Sequence, residues 1–307
     1  MKIYKTNKNF LGITDPNQYG YNEAQFVIQS APYEHTSSYV QGSGKGPKEI
    51  LKASHFVEFY DEELDFQATD QVGICTLKPY DFGNKVNLDA LNFLYEQTLP
   101  HIQNGKTVVT LGAEHSITSA LIRAHKEVWP DLVCVQIDAH SDLRMSYEGN
   151  PYSHASVMAR VFEQEVPIYQ VGIRAQCKEE AQLRKGYPQR IKTWYAHSFL
   201  QDPIQQTQEV VEAVKGKNVY ITLDADGFDP SVFPDVGTAE PNGLSWQQGT
   251  HLLKELAQHC HVVGFDFLEI APQKNVISTP FNAAKLVYKL ISYLTFYKQN
   301  SSSNPKL

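Results

Sequence analysis

The residues most suited to chemistry lie within positions 136–156, which read QIDAHSDLRMSYEGNPYSHAS. An apolar run ends there, and Asp138, His140 and Asp142 follow at alternate positions, with a second histidine at His154. Residues i, i+2 and i+4 of an extended backbone point the same way, so the first three side chains share one side. Two carboxylates and an imidazole placed together are stabilised by a divalent cation between them, which makes this stretch a candidate metal site.

Three further polar clusters also follow apolar runs directly. They are GAEHS with His115, DADGFDP with Asp224 and Asp226, and DFLE with Asp266 and Glu269. Each cluster alone is a weak signal, because aspartate often caps helices and closes turns, and a lone histidine is more often packed than ligating. Taken together, the aspartates and histidines would form a buried anion that needs cations to neutralise it.

The ligand types favour hard or borderline divalent ions. The set combines carboxylates and imidazoles without a thiolate, which points to Mn²⁺ before Zn²⁺. Six such ligands suit two ions, and two ions about 3.5 Å apart lower the pKa of a shared water, which becomes a strong nucleophile at neutral pH. The residues alone therefore indicate a binuclear hydrolytic site.

Short aliphatic runs alternate with helix-like stretches along the chain. The predicted strands are Phe26–Ser30, Thr107–Leu111, Val133–Ile137, Ile168–Gly172, Val219–Leu223 and Val262–Phe267. The predicted helices are Leu88–Gln103, Ser116–Val128, Gln205–Val214, Trp246–Gln258 and Asn282–Tyr297. Continuous apolar strands are typical of a parallel sheet covered on both faces, so we expect one doubly wound α/β domain over residues 1–299. A frayed tail is expected at residues 300–307.

The polar clusters all fall at the carboxyl ends of predicted strands. In open parallel sheets, ligands bind at that edge. We therefore expect the clusters to converge in space.

Composition narrows the class of protein. The apolar share of 42% is ample for a core. The net charge of −7, without a basic stripe, argues against nucleic acid as a binding partner. An acidic protein is better suited to bind a cationic small molecule. The N-terminus lacks a signal peptide and no segment reaches the length of a membrane span, which predicts a cytoplasmic protein. The scattered cysteines are typical of reduced thiols; they are Cys75, Cys134, Cys177 and Cys260.

Two other motifs have structural interpretations. Gly42–Gly46 (GSGKG) resembles part of a phosphate-binding loop, but Tyr39 stands where that loop needs a glycine and Gly46 where it needs Ser or Thr. We expect it to lead into a helix at Pro47 instead. The run His259–His261 (HCH) lacks a second cysteine at zinc spacing, so we expect surface and core residues around the start of a strand.

The motifs together resemble the signature set of the ureohydrolases, the arginase, agmatinase and formiminoglutamase family. The matching segments are Gly112–Ser116 (GAEHS), Asp138–Asp142 (DAHSD), Ser153–Ser156 (SHAS), Asp224–Pro230 (DADGFDP) and Asp266–Glu269 (DFLE). They follow the family order over nearly the whole chain. Ala31–Ser54 and the run RMSYEGNPYSHASVMAR look most like the prokaryotic agmatinase branch.

The resemblance implies an eight-stranded parallel sheet between helices, two Mn²⁺ per subunit and a homotrimer or homohexamer. Carried over position by position, it gives as metal ligands His115, Asp138, His140, Asp142, Asp224 and Asp226. His154 matches the family's proton-shuttling histidine, and Glu269 matches the carboxylate that holds the guanidinium of the substrate. Asp266 stands where the family keeps a supporting acid.

The resemblance also implies a reaction, the hydrolysis of a small cationic guanidino compound, with agmatine giving putrescine and urea as the first expectation. Arginine, guanidinobutyrate and guanidinopropionate are alternative substrates, and an inactive metal-binding homologue is an alternative of another class. The sequence departs from the family pattern at Ala113, Asp235, Ala239 and Asn242. Because none is a metal or guanidinium position, these departures concern substrate fit and loop conformation.

The loop Leu143–Ser153 is expected to discriminate between agmatine and arginine. It offers few hydrogen-bond donors and carries the acidic Glu148, a predicted substrate-binding residue that would repel the α-carboxylate of arginine. Arg144 could pair that carboxylate, but we interpret it as a structural partner of a loop acid. The sequence therefore predicts that agmatine is preferred over arginine by at least about 100-fold.

Overall fold

One parallel sheet dominates the protein. The computed structural model describes residues 2–303, with the side chains of residues 2–299. Its strands are β1 (Ala24–Ala31), β2 (Tyr60–Asp61), β3 (Phe66–Gln67), β4 (Gly73–Thr76), β5 (Thr107–Gly112), β6 (Val133–Ile137), β7 (Ile168–Ile173), β8 (Ile191–Tyr195), β9 (Asn218–Asp224) and β10 (His261–Leu268). Eight of them pair in parallel in the order β4-β1-β5-β10-β9-β6-β7-β8, while β2 and β3 form a small antiparallel hairpin. The eight-stranded parallel sheet expected from the resemblance is confirmed.

Helices cover both faces of the sheet. They are α1 (Pro16–Tyr19), α2 (Gly46–Ser54), α3 (Asn87–Gln103), α4 (Thr118–Val128), α5 (Val157–Glu163), α6 (Lys178–Gly186), α7 (Ala196–Phe199), α8 (Pro203–Val214), α9 (Trp246–His259) and α10 (Ser278–Ser303). Apolar residues of α2, α8, α9 and α10 form one core, and those of α3, α4 and α5 form the other. Within β6, Val133 and Val135 belong to the first core and Cys134 to the second. Because both faces are buried, the strands lack a polar alternation.

The predicted strands and helices are all present, with ends that differ by a few residues. The sequence does not predict β4 or β8, which lie at the two edges of the sheet. Each is short, and β8 (IKTWY) leaves most of its side chains partly exposed, so neither shows the continuous apolar run of a central strand. The helix α6 (KEEAQLRKG) is also missed, because it has almost no apolar stripe.

The other structural interpretations hold. Gly42 precedes a short 3₁₀ turn, Ser43–Lys45, that leads into α2, and α9 ends at His259 just before β10 begins. The four cysteines are free thiols. No helix in residues 2–303 combines the length and apolar character that a membrane span needs. The tail predicted at residues 300–307 lies outside the described side chains and stays a prediction, as does the boundary at residue 299.

Candidate metal centre and active site

Four adjacent strands carry the site residues to one edge of the sheet. The last two strands, β9 and β10, return to its middle and lie between β5 and β6, so the carboxyl ends of these four strands are neighbours. His115 follows β5, Asp138 follows β6, Asp224 ends β9 and Glu269 follows β10. The polar clusters therefore converge at this edge.

His115, Asp138 and Asp224 form a buried group that could hold one metal ion. Nδ1 of His115 lies 3.0 Å from Oδ2 of Asp138 and 3.2 Å from Oδ2 of Asp224. Oδ2 of Asp142 lies 3.3 Å from the same nitrogen. Nδ1 is buried and makes no well-formed hydrogen bond within the described residues, although three carboxylate oxygens surround it. A cation among these four atoms would satisfy all of them at once.

Asp138, His140 and Asp226 form a second group of the same kind. Nδ1 of His140 lies 3.0 Å from Oδ2 of Asp226 and 3.7 Å from Oδ1 of Asp138. Asp138 belongs to both groups and presents a different oxygen to each histidine. The arrangement suits two ions that share one carboxylate.

The electrostatics of the two groups show why they need positive charge. Burial, together with the charge of Asp138, raises the pKa of Asp142 to about 7. Burial and the neighbouring Asp226 also raise the pKa of Asp224 well above its ordinary value. Burial lowers the pKa of His115, but the carboxylates around it, Asp138 first, reverse that effect and raise the pKa strongly. Protons can neutralise such a group only in part, whereas divalent ions fit its carboxylate and imidazole donors.

The far side of the His115 ring is held by a hydrogen-bond network. Nε2 of His115 lies 2.8 Å from Oγ1 of Thr222, which can accept a proton carried on Nε2 and so leave Nδ1 available to a metal ion. Asp266 accepts hydrogen bonds from Thr118 and Tyr220 at 2.8 and 3.0 Å, and burial raises its pKa. A partner that fixes the tautomer of a histidine is typical of metal-ligating imidazoles.

Two site residues adopt a left-handed backbone that few side chains favour. Asp142 has a φ of 52° and Glu269 a φ of 66°. Strain of this kind often marks functional positions, because the fold has to hold it in place. Gly227 allows the backbone after β9 to approach Asp138 closely, since a Cβ there would lie 2.7 Å from the backbone nitrogen of Asp138. Asn242, a departure from the family pattern, also takes a left-handed φ of 61°, which asparagine tolerates.

Glu269 faces a cavity of about 190 Å³ above the two groups. Its Oε1 accepts a hydrogen bond of 2.6 Å from the backbone nitrogen of His115. Burial and then the charge of Glu114 raise its pKa well above the ordinary value. A carboxylate kept from bulk water in this way can gain much from a cationic ligand.

His154 lines the same cavity and is held by an N-terminal loop, residues 33–46. Its Nδ1 lies 3.1 Å from Oγ1 of Thr36, and its Nε2 lies 3.3 Å from Oγ of Ser38. The backbone nitrogen of His154 donates to the same Thr36 oxygen at 3.0 Å. Burial lowers the pKa of His154, so the ring is neutral near pH 7 and can take up and release a proton.

Glu148 lies apart from these residues. Its side chain is exposed and the residue takes a φ of 50°, and it is not among the residues that line the cavity. From the same loop, Arg144 and Tyr147 line the cavity instead, with the Arg144 guanidinium 5.4 Å from the centre of the Tyr147 ring. The substrate-binding role predicted for Glu148 stays a prediction.

Two residues that shape the site are not among those predicted from the sequence. Glu114 is fully buried and accepts hydrogen bonds from the backbone nitrogens of His35 and Thr36 at 2.9 and 2.7 Å, which ties the N-terminal loop to β5. Arg174 donates to the carbonyl oxygens of Asp226 and Glu240 at 2.6 and 2.8 Å, among others, and so joins two loops at the site. Neither contact leaves a local sequence signal, because the partners are far apart along the chain.

The chain matches known proteins over most of its length. Residues 24–292 match the model of the arginase family. N(1)-aminopropylagmatine ureohydrolase of Synechocystis sp. is 37% identical over 278 residues, which cover 89% of this chain and 90% of that protein. Agmatinase of Bacillus anthracis is 31% identical over 283 residues, which cover 88% and 92% of the two chains. The crystal structure of agmatine ureohydrolase of Thermoplasma volcanium superposes with a TM-score of 0.85 at 29% identity, over 97% of each chain.

The chain therefore belongs to the arginase family. Its fold agrees with that assignment, and it is an enzyme, an agmatinase-like ureohydrolase that acts on linear amidines.

Proposed function

We propose that this ureohydrolase uses two Mn²⁺ ions to hydrolyse a guanidinium group carried on an aminoalkyl chain, as in agmatine. The observation that supports this most is the pair of His/Asp groups sharing Asp138, with Glu269 facing the cavity above them. Agmatine and water would give putrescine and urea.

In this proposal the metal ligands are the residues of the two groups together with Asp142. They are His115, Asp138, His140, Asp142, Asp224 and Asp226. When bound, the metal pair supplies a water of lowered pKa as the nucleophile. The carboxylate and imidazole donors without a thiolate favour Mn²⁺.

Glu269 would bind and orient the substrate. A guanidinium is planar and resonance-stabilised, so attack on its carbon requires a fixed geometry. The two oxygens of Glu269 can accept two guanidinium N–H groups in parallel, since Oε1 keeps a second lone pair beside its bond to His115. This contact would hold the carbon over the metal groups.

His154 would carry a proton to the leaving amine. When the bond between the guanidinium carbon and the alkyl nitrogen breaks, that nitrogen must take up a proton, and urea keeps the oxygen of the water. A neutral imidazole near pH 7 suits this relay, and Thr36 and Ser38 hold the ring at the cavity.

N(1)-aminopropylagmatine is a second candidate substrate. Four relatives with that activity in their names are 31–37% identical to this chain, and four agmatinases are 29–31% identical. Among the described residues that line the cavity, the carboxylates are Asp142, Asp224, Asp226 and Glu269. The proposed function uses all four for metal or guanidinium binding, so the far amines of a substrate would contact side chains that are not carboxylates. Tyr39, which is 79% exposed at the cavity, offers an aromatic face for such a cation.

Urea release over a panel of guanidino compounds tests the proposal. With Mn²⁺ present, we expect turnover of agmatine or N(1)-aminopropylagmatine and much weaker turnover of arginine, guanidinobutyrate and guanidinopropionate. The ratio of kcat/KM for the two amines decides between them. No urea from any of the compounds would instead favour an inactive metal-binding homologue.

Two further expectations from the resemblance belong to this proposal. We propose that the enzyme is cytoplasmic and forms a homotrimer or homohexamer. Sedimentation velocity on the purified protein would distinguish three or six chains from one.

A further inference from the structure

A row of buried polar residues crosses the sheet next to the metal groups. Strand pairing places one such residue in register on seven adjacent strands, in the order Gln29, Thr110, Asp266, Thr222, Gln136, Gln170 and Thr193. All but Thr193 are 0% exposed. Burying so many polar groups is costly unless each is hydrogen-bonded, so the hydrogen bonds of the row show what it does.

The β8 end of this row leads to Asp138 through a relay of side chains. Oγ1 of Thr193 donates to Oε1 of Gln170 at 2.8 Å, and Nε2 of Gln170 donates to Oε1 of Gln136 at 2.7 Å. Nε2 of Gln136 then donates to Oδ2 of Asp138 at 2.8 Å. The edge strand β8 is thereby connected to the carboxylate that both metal groups share.

Both amides of the relay are fully used, which gives each a single orientation. The second N–H of Gln136 donates to the carbonyl of His140 at 3.1 Å, and that of Gln170 donates to the carbonyl of Ser141 at 2.9 Å. Reversing either amide would set donor against donor or oxygen against oxygen. The relay can therefore present only an N–H to Asp138.

The carboxylate of Asp138 is held at both oxygens by such donors. Oδ2 accepts from Gln136, and Oδ1 accepts a bond of 2.6 Å from the backbone nitrogen of His140. Each oxygen retains a lone pair on the side of the histidine of its own group. A small rotation of this carboxylate would move both oxygens away from both groups.

We propose that Gln136, oriented by Gln170 and Thr193, is a positioning residue that sets the metal affinity of the centre by fixing the shared carboxylate of Asp138. The inference rests on the metal centre of the proposed function. It assigns a role in metal retention to an edge strand that contributes no ligand.

The test compares metal retention in variants along the relay. Gln136→Met keeps the length of the side chain and removes the donor, so we expect the dissociation constant for Mn²⁺ to rise by about 10–100-fold, as for other partners of metal ligands. Holoenzyme is dialysed against graded EDTA, and the retained Mn²⁺ is measured by mass spectrometry. Gln170→Met should give a smaller loss and Thr193→Val the smallest, with Thr193→Ser close to wild type because it keeps the hydroxyl.

Gln29 provides a matched control at the other end of the row. It is equally buried and donates to Thr98 and Thr110 at 3.0 and 2.8 Å, but it contacts no metal group. Gln29→Met should lower thermal stability as Gln136→Met does, yet leave Mn²⁺ retention within about threefold of wild type, because sites without shared partners act independently.

The outcomes separate the relay from the metal centre itself. Wild-type retention of Mn²⁺ in both Gln136→Met and Gln170→Met, or equal loss in Gln29→Met, would overturn the relay. If Gln136→Met does not fold, as judged by circular dichroism, the graded loss across the Gln170 and Thr193 variants decides. A folded wild-type enzyme that binds no Mn²⁺ would overturn the proposed metal centre, and the relay with it.

Discussion

At the scale of single residues, Asp138 and Glu269 both contact His115 but are expected to have different roles. Asp138 is fully buried and belongs to both metal groups, whereas Glu269 faces the cavity and bonds the backbone of His115. Loss of a metal ligand should remove the bound metal, whereas loss of a substrate contact should lower activity and leave the metal bound.

We expect Asp138→Asn, and likewise Asp224→Asn, to lose most of the bound Mn²⁺, because an amide cannot supply the negative charge of a ligand. Glu269→Gln should keep its Mn²⁺ while kcat/KM falls by at least about 100-fold, since each hydrogen bond to a charged group contributes about 1.5–3 kcal/mol. Metal analysis and urea release on the same preparations measure both effects. Loss of metal together with activity in Glu269→Gln would place Glu269 among the ligands.

Glu148 and Arg144 bear on substrate choice, because both lie in the loop Leu143–Ser153. We expect kcat/KM for agmatine to exceed that for arginine by at least about 100-fold, the effect of an unpaired charge at a site. Because Glu148 is exposed, its own repulsion is screened, and Glu148→Gln should reduce the ratio by no more than about tenfold. Arg144→Gln, in the same loop but at the cavity, is the comparison variant. Equal efficiency on arginine in the wild type would contradict the prediction.

Residues whose role depends on local spacing could be predicted from the sequence, whereas residues whose role depends on partners distant in the chain could not. Asp138 and His140 are recognisable because alternation after an apolar run puts them on one side. Glu114 and Gln136 carry no such signal, since Glu114 holds a loop 78 residues away and Gln136 depends on a neighbouring strand. Only the pairing of the strands and the path of the loop show what these two residues do.

At the scale of elements, two glutamates fix the N-terminal loop, residues 33–46, over the cavity. Glu114 accepts from the backbone of His35 and Thr36, and Glu34 accepts from the backbone of Gly42 and Gly44 at 2.6 and 2.9 Å. The first glutamate controls the part of the loop that contacts His154, and the second controls the part that leads into α2.

We expect Glu114→Gln to lower kcat by about tenfold or more, because a neutral amide weakens two charge-assisted hydrogen bonds. The pH profile of kcat should shift as well, since Thr36 would no longer hold His154 in one position. Glu34→Gln is the matched control, which should destabilise the loop but leave the pH profile unchanged. A profile that is the same in wild type and Glu114→Gln would exclude this role for Glu114.

The elements themselves were predictable where they are central and hidden where they are peripheral. β6 and β9 are buried on both faces and read as apolar runs, whereas β8 at the edge mixes Lys192 with aromatic residues. Local sequence patterns do not predict the order of the strands in the sheet. The return of β9 and β10 to the middle of the sheet, which brings the site together, follows from long-range packing.

At the scale of the whole molecule, a cluster of charges outside the residues that line the cavity joins the β2–β3 hairpin to α9 and α10. Lys289 on α10 lies 2.9 Å from Asp61 and 2.9 Å from Glu63. Nζ of Lys254 on α9 lies 2.8 Å from Oε1 of Glu63, and the hydroxyl of Tyr293 donates to Oε2 of Glu63 at 2.7 Å. Three segments distant in sequence meet at one carboxylate, so this cluster should contribute to global stability rather than to catalysis.

The stability contributed by Glu63 should depend on pH. Burial raises the pKa of Glu63, but hydrogen bonds from Lys254, Lys289 and Tyr293 outweigh it and lower the pKa from 4.5 to about 2. The folded state then binds fewer protons than the unfolded state, so the stabilisation is present above about pH 4.5 and is lost as pH falls towards 2. We expect Glu63→Gln to unfold at a lower urea concentration than wild type at pH 7.

The difference between wild type and Glu63→Gln should shrink as the urea midpoints are measured at successively lower pH between about 5 and 3. Glu212→Gln is the control, because Glu212 pairs with Lys215 on the surface, where both side chains are more than half exposed. Such pairs contribute only about 0–1 kcal/mol, so its midpoint should follow wild type at every pH. A gap between Glu63→Gln and wild type that stays constant with pH would mean that the charge of Glu63 contributes nothing, and that its packing alone joins the hairpin to the helices.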